Sequence, residues 1–328
     1  MEIQNSADRV VTWRALLSVY IVIPLMAFVM AVDFFFLNRQ LSRALPADPE
    51  DWVAFRLLFV LPHIFVGNFI MADRGYLNHY KPIRYISVIL FSLLLYPAFR
   101  YTVGVIYFWV LFDIWTIWHG CGQQIGLNRM LVKRNRGFYK IWTVAYFFVI
   151  LVVYSQMYVS VDFFKMNELR IDELSKSILV GLGLLLFGSS FLFSSSDVKW
   201  SHSISMANGS LPAFGCIALY LNYPLFAIIA FRVVHDVTAL YIYWVHDVNR
   251  NQQASHNWFH KLSSYLPIPA TFRMLVIAFS AAAIVSIYQD RNWVVQYVAI
   301  SFSLFHYIVE TFIWRRESLH RQYVPFVS

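Results

Sequence analysis

Ionisable residues interrupt several stretches of this sequence that are otherwise apolar. The clearest case is the stretch 231–250, which is apolar enough to lie in a bilayer but carries two His-Asp pairs, His235-Asp236 and His246-Asp247. Ionisable groups at membrane depth are costly, and they usually face a bundle interior or a water-filled cavity. These four residues are therefore candidates for function.

Histidines also recur on other apolar stretches. Their depth in the membrane can be compared by counting residues to the next arginine that is expected at the cytoplasmic surface. This count gives 11 residues for His63, 10 for His119 and 9 for His306. At about 1.5 Å per helical residue, the three imidazoles are expected within about 3 Å of one another in depth. We expect His235 somewhat deeper and His246 shallower. The other five histidines fall in loops or the tail, where we expect solvated side chains: His79, His202, His256, His260 and His320.

Helical spacing gives these histidines polar neighbours. His306 and Glu310 are four residues apart, as are His119 and Gln123, and His235 lies three residues before Thr238. Residues with these spacings share a helix face. His235 and His246 are separated by about three turns, roughly 16 Å, so they are not expected to bind the same metal ion.

Imidazole and carboxylate donors without thiolates suit iron, and less well zinc, copper or manganese. The pattern therefore predicts a non-haem Fe²⁺ centre that uses O₂ as co-substrate. A metal-bound imidazole usually donates its other ring N–H to an acceptor beside the site. The predicted metal ligands are His63, His119, His235 and His306. The predicted catalytic residues beside them are Glu310, which is also a candidate fifth ligand, and Gln123. The residues predicted either to support the ligands or to bind a second metal ion are Asp236, Thr238, His246 and Asp113.

The composition is that of a polytopic membrane protein. Of 328 residues, 59% are hydrophobic and only 13% charged, and the mean hydropathy is +0.56, whereas a soluble domain is about one quarter charged. The aromatic content of 19% fits interfacial belts and a pocket for an apolar lipid or isoprenoid. The net charge of +8 lies in short loops, as topology signals do, and indicates no nucleic-acid partner. Cys121 and Cys216 are too few for a disulfide framework or a four-thiolate metal site.

A membrane span needs about 20 apolar residues. The sequence predicts an all-α bundle of eight to ten transmembrane helices that form a single domain, 1–328, with a retained first helix. The candidate spans are 13–37, 52–73, 82–99, 101–131, 137–160, 176–195, 211–223, 225–247, 271–289 and 292–314. The seventh is short and ends at Tyr223-Pro224, which favours a half-span or a broken helix.

Basic residues in short loops predict the orientation. The loop 129–140 is strongly basic and therefore expected in the cytoplasm, whereas the acidic segment 162–173 is expected outside. Counting from this loop places both termini in the cytoplasm, provided that 211–247 crosses the membrane twice. We expect a multi-pass protein of a bacterial inner membrane.

Other signals leave alternatives open. Trp118-His119-Gly120 resembles the Trp-His-Gly around the histidine of membrane-bound O-acyltransferases, which implies His119 as a general base. A proton- or ion-coupled transporter would use His235, Asp236 and Glu310 as a relay, and bis-histidine haem is a further alternative. His256 and His260 have the H-x-x-x-H spacing of membrane desaturases, but the accompanying H-x-x-H-H clusters are absent. The apolar neighbours Trp258, Phe259 and Leu262 favour an amphipathic interfacial helix there.

Leu61-Pro62-His63 inside a span, with histidines on later spans, resembles the Brp/Blh-type membrane β-carotene 15,15′-dioxygenases. This resemblance implies an all-helical membrane fold and a non-haem iron held by histidines from several helices. It also implies cleavage of a carotenoid to retinal with O₂.

Overall fold

A computed structural model describes residues 9–45, 52–131, 136–158, 172–194, 199–251, 257–315 and 317–327. Three sequence predictions fall on residues outside these ranges. They concern His256, most of the acidic segment 162–173, and residues 132–135 of the basic loop.

The described chain is helical apart from one short strand pair. In chain order the elements are β1 (Val11–Thr12), α1 (Trp13–Val19), α2 (Val22–Phe36), α3 (Gln40–Ala44), α4 (Val53–Phe55), a π-helical turn (Arg56–Val60), α5 (Leu61–Ile70), α6 (Arg74–His79), α7 (Pro82–Tyr101), α8 (Val105–Leu131), α9 (Arg136–Tyr158), α10 (Glu173–Ser190), a 3₁₀ turn (Phe191–Phe193), α11 (Ser201–Tyr220), α12 (Pro224–Asn251), α13 (Trp258–Ser263), a 3₁₀ turn (Ala270–Phe272), α14 (Arg273–Tyr288), α15 (Trp293–Ile313), α16 (Leu319–Gln322) and β2 (Phe326–Val327).

Nine helical segments of the described residues are long and apolar enough to cross a membrane. They are Trp13–Phe36, Val53–Ile70, Pro82–Tyr101, Val105–Leu131, Gly137–Gln156, Glu173–Phe193, Pro224–Asn251, Ala270–Tyr288 and Trp293–Ile313. The predicted all-α fold is confirmed, and the number of apolar helices lies within the predicted eight to ten. The chain therefore has the architecture of a multi-pass membrane protein.

The predicted half-span 211–223 is wrong in its bounds. The helix at this place is α11, which begins at Ser201, ten residues earlier, and ends at Tyr220. Its first half, 201–210, is rich in serine and contains Asn208, so hydropathy alone does not reveal it. Its buried polar groups are hydrogen-bonded instead, for example Ser205 Oγ to Asn128 Oδ1 at 2.8 Å.

The described residues pack into two compact units. Unit one comprises the described parts of Met1–Thr12, Val53–Leu111 and Asp236–Val327, and unit two those of Trp13–Trp52 and Phe112–His235. The long helices α8 and α12 contribute to both units. The expectation of a single domain stays a prediction.

In unit one, α5 is buried along its whole length, from Leu61 to Ile70, and packs against α14 and α15. Pro62 lacks a backbone N–H and is therefore tolerated near a helix start; here it is the second residue of α5, just after the π-helical turn. Ala278 and Ala282 of α14 are fully buried. Small residues allow helices in membranes to approach closely, which explains this tight packing.

In unit two, α10 and α11 form a closely packed helix pair. A Cβ atom on Gly183 would lie 3.0 Å from the main chain of Ala213, and one on Gly209 would lie 2.8 Å from Ser190 Oγ. The two glycines are therefore required for the close approach of these helices, a usual role of small residues in membrane bundles.

The two ends of the described chain meet within unit one. Val11 and Thr12 of β1 pair in parallel with Phe326 and Val327 of β2. The Asn249 side chain supports the pair, because its Nδ2 donates to the Arg9 carbonyl at 2.8 Å and to the Tyr323 carbonyl at 2.9 Å.

Candidate metal centre

Helices α5, α12 and α15 bring four ionisable side chains together in unit one. His63 and Asp236 are 0% exposed, His306 is 1% exposed and Glu310 is 10% exposed. The rings of His63 and His306 are 5.1 Å apart between centroids. Burying such groups is unfavourable unless they are paired, hydrogen-bonded or bound to a metal. We call these four residues the unit-one cluster.

The surroundings of His63 determine which ring nitrogen carries the proton. Its Nδ1 lies 3.0 Å from Asp236 Oδ1 and 3.2 Å from the Phe59 carbonyl oxygen. Because both neighbours are acceptors, Nδ1 is the protonated nitrogen and Nε2 holds the lone pair. A metal-bound histidine usually donates its other ring N–H to a carboxylate or a backbone carbonyl. His63 is thus oriented as a ligand would be, with the Phe59 carbonyl as the acceptor of its Nδ1 proton and the Asp236 carboxylate as a charged neighbour.

His306 lies directly against the backbone of α5. A Cβ atom on Gly67 would be 2.5 Å from His306 Nδ1 and 2.8 Å from Tyr243 Oη. Gly67 follows His63 by one helical turn and therefore lies on the same face of α5. Asn68 holds the two helices together nearby, since its Nδ2 donates to the Phe302 carbonyl of α15 at 2.9 Å. Only glycine leaves room for this imidazole.

Glu310 is held by two donors besides its contact with His306. Tyr243 Oη donates a short hydrogen bond to Glu310 Oε1, and Trp314 Nε1 donates to the same oxygen at 3.2 Å. His306 Nε2 lies 3.8 Å from it. The predicted i,i+4 pairing of His306 with Glu310 is confirmed. Because these contacts fix the Glu310 carboxylate in place, Glu310 is better suited to orient His306 than to move during a reaction.

Unit two holds a second histidine pair. The rings of His119 and His235 are 5.0 Å apart and nearly perpendicular, and both side chains are buried. Gln123 Nε2 donates to the His235 carbonyl at 3.3 Å, which links α8 with the part of α12 that belongs to this unit. Next to it, Gln124 Oε1 accepts from Tyr20 Oη at 2.7 Å. Gln123 therefore positions the backbone of His235.

The predicted supporting roles of Thr238 and Asp113 stay predictions. Thr238 is 1% exposed, and its hydroxyl has no hydrogen-bond partner among the described residues. Asp113 is partly buried on α8. Asp236 lies 3.0 Å from a predicted ligand, His63, within its own unit.

His246 belongs to a separate polar group in unit one. Its Nε2 lies 2.6 Å from Tyr76 Oη, and its ring stacks on His320 at 5.0 Å. His320 in turn stacks on Tyr76 at 3.7 Å. His320 is fully buried, so the prediction of a solvated side chain is wrong there. The same prediction is wrong for His260, which is buried against Asp247 at 2.8 Å.

The stability of this group is expected to depend on pH through His320. Burial, with the neighbouring His246 and Arg250, holds the pKa of His320 well below its usual range. In the unfolded chain histidine has a pKa of about 6.5. As the pH falls, the unfolded chain therefore binds a proton at this residue, whereas the native chain does not, and unfolding becomes more favourable. We expect the melting temperature to fall between about pH 7.5 and 5, and to fall less in His320→Gln.

The control for this prediction is His202→Gln, which changes a partly buried histidine of unit two. This variant should follow the wild-type pH profile of melting temperature closely. A His320→Gln profile as steep as the wild-type profile would contradict the assignment.

Sequence reasoning missed three residues in the surroundings of the unit-one cluster: Gly67, Tyr243 and Trp314. Tyr243 and Trp314 carried usable signals. Trp314 follows Glu310 by one turn, and Tyr243 precedes His246 by three residues on α12. The close approach of Gly67 to His306 depends on tertiary packing, so spacing along the chain does not reveal it.

The comparisons with known proteins found no relatives. No protein-family model, no curated protein and no solved structure matches the chain. Its function is therefore inferred from the residues and their geometry.

Proposed function

We propose that this chain is a multi-pass membrane oxygenase that uses non-haem iron and O₂ on an apolar lipid or isoprenoid substrate. Oxidative cleavage of a carotenoid is the narrowest form of the proposal. The observation that carries it is the unit-one cluster, in which Asp236 and Glu310 each contact a buried histidine.

The donor set fits iron. Two imidazoles with carboxylates, and no thiolate, are typical of non-haem iron sites. In this proposal His63 and His306 bind the metal, the charge of Asp236 stabilises the proton on His63 Nδ1, and Glu310, which contacts His306, is the candidate carboxylate ligand. The roles of His119 and His235 of unit two as metal ligands stay predictions. The bound iron would supply the activation of O₂.

An apolar substrate agrees with the surroundings of the cluster. The core of unit one is built from apolar and aromatic side chains, including Phe65, Phe69 and Ala239. These side chains keep water away from the cluster and match the polarity of an apolar substrate.

In this proposal both termini lie in the cytoplasm of a bacterial cell, beneath its inner membrane. The pairing of β1 with β2 supports an even number of crossings, because paired ends lie on one side of the membrane. The nine apolar helices of the described residues would by themselves give an odd number of membrane crossings. The 20 residues of α11 are long enough for a tenth crossing.

The test is turnover by the purified protein in lipid nanodiscs with β-carotene and other isoprenoids. We expect products that require O₂, that disappear after removal of iron with a chelator, and that fall at least about 100-fold in His306→Ala, as loss of a metal ligand implies. The matched control is His79→Ala, an exposed histidine that should retain full activity.

Other outcomes would replace the proposal. Turnover that survives anaerobic conditions and chelators but is lost in His119→Ala would favour an O-acyltransferase. A pH-dependent flux in proteoliposomes without chemical turnover would favour a transporter. A Soret band in the purified protein would indicate haem.

A further inference from the structure

A second site lies in unit one, where an open cavity of about 960 Å³ adjoins the end of α12. A volume of this order is within the usual range for ligand sites. The cavity is lined by the last turn of α12, by α13, by the start of α14 and by Arg9 of the N-terminal segment. The lining residues that matter here are Arg9, Asp247, Asn251, His260, Lys261 and Arg273.

Among the described residues that line it, the cavity has the three cations Arg9, Lys261 and Arg273 and one carboxylate, that of Asp247, so this lining is basic. That carboxylate, on Asp247, already accepts from His260 Nε2 at 2.8 Å and from Asn251 Nδ2 at 2.8 Å. Both members of the Asp247–His260 pair are buried, with side chains 3% and 5% exposed. Asp247 is therefore engaged by its own neighbours and leaves the three cations to attract an anion.

Two of the three cations, Arg9 and Arg273, are positioned by contacts within the protein. Asn249 clamps the Arg9 backbone, accepting from its N–H at 3.1 Å and donating to its carbonyl at 2.8 Å. The Arg9 guanidinium lies 5.9 Å from the Trp244 ring. Arg273 Nε donates to the Ile268 carbonyl at 3.0 Å. Because these contacts already restrict the two arginine residues, they lose less conformational entropy when an anion binds.

Exposed apolar side chains lie on α13 and just after it, in the same segment that supplies His260, Lys261 and Tyr265 to the cavity. Trp258 and Leu262 of α13 are 61% and 72% exposed, and Tyr265 is 89% exposed. The helix predicted at this place is confirmed as α13, and its position at the membrane surface stays a prediction. Aromatic side chains next to basic residues are typical of the interface between bilayer and water.

We propose that this cavity binds the phosphate group of an anionic lipid headgroup. Arg9, Lys261 and Arg273 would contact the phosphate oxygens, while Trp258, Leu262 and Tyr265 contact the interfacial part of the lipid. Basic pockets next to transmembrane helices recognise phosphate-bearing headgroups in this way. The site shares no residue with the unit-one cluster.

The experiment measures lipid binding to the full chain in a neutral detergent, by native mass spectrometry with titrated phosphatidylglycerol. Each basic residue near a membrane surface contributes about 1 kcal/mol to binding anionic lipid. The double variant Lys261→Gln/Arg273→Gln should therefore bind roughly 30-fold more weakly. Binding should also weaken with increasing salt concentration.

The matched control is Arg100→Gln, which removes an exposed cation at the end of α7, away from the cavity lining. It should bind phosphatidylglycerol like the wild type. Phosphatidylcholine should bind all variants equally weakly. Melting temperatures without lipid check that each variant is folded, and Arg273→Lys, which keeps the charge, should retain most of the binding.

Two results would overturn the proposal. One is equal binding of phosphatidylglycerol by the double variant and the wild type. The other is competition by inorganic phosphate at concentrations equal to those of the lipid, which would assign the cavity to free phosphate.

Discussion

Replacement of Gly67 by alanine is expected to displace His306 and to lower the iron content of the purified protein at least about tenfold, as for other losses of ligand positioning. The new Cβ atom would lie 2.5 Å from His306 Nδ1 and 2.7 Å from Cε1, closer than carbon and nitrogen atoms pack. Overpacking of this kind costs about 1–3 kcal/mol in a tightly packed core. The imidazole or the helix must therefore shift, and the measurement is metal content together with melting temperature.

Gly181→Ala is the matched control, because a Cβ atom there would meet nothing within 4 Å. Alanine is the better helix former by about 0.5–1 kcal/mol, so this variant should be as stable as the wild type or more so.

A double variant separates the displacement of His306 from general destabilisation. Gly67→Ala/His306→Ala removes the imidazole that the new methyl group would strike. Contacting residues couple by about 0.5–3 kcal/mol, so the double variant should be more stable than the sum of the single changes implies. Strict additivity, or normal iron content in Gly67→Ala, would contradict the packing described here.

Replacement of Asp236 by asparagine is expected to weaken metal binding by roughly 10- to 100-fold, the usual effect of changing a residue next to a metal-bound histidine. Asp236 Oδ1 lies 3.0 Å from His63 Nδ1, and neither side chain is exposed. Asparagine keeps the size of the side chain but removes the charge that stabilises the Nδ1 proton. The measurement is a competition titration of the apoprotein with Fe²⁺ against a chelator of known affinity.

The control is Glu317→Gln, which neutralises an exposed carboxylate of the same unit. It should leave the affinity for Fe²⁺ unchanged. If Asp236→Asn bound Fe²⁺ as tightly as the wild type, Asp236 would have no role in orienting a ligand.

The apolar helices were largely predictable because hydropathy reports membrane spans directly. The exception is α11, whose first half carries Ser201, Ser205 and Asn208, which are buried and hydrogen-bonded within the protein. Tertiary contacts stabilise such a helix, and a hydropathy scan does not contain them.

The pairing within the candidate site was predictable in part. Counting residues to the next arginine placed His63 and His306 at similar depth, and their rings are 5.1 Å apart. The burial of His320 was not predictable in this way, because its partner Tyr80 is 240 residues away in the sequence. Local spacing carries no information about such a contact.

The central claim is that the buried histidines bind iron, and the most direct test is elemental analysis of the purified protein. The wild type should contain iron in stoichiometric amounts without a Soret band, and His63→Ala/His306→Ala should contain little. His79→Ala, which changes an exposed histidine, should keep the metal. Protein that is fully active without metal would contradict the claim.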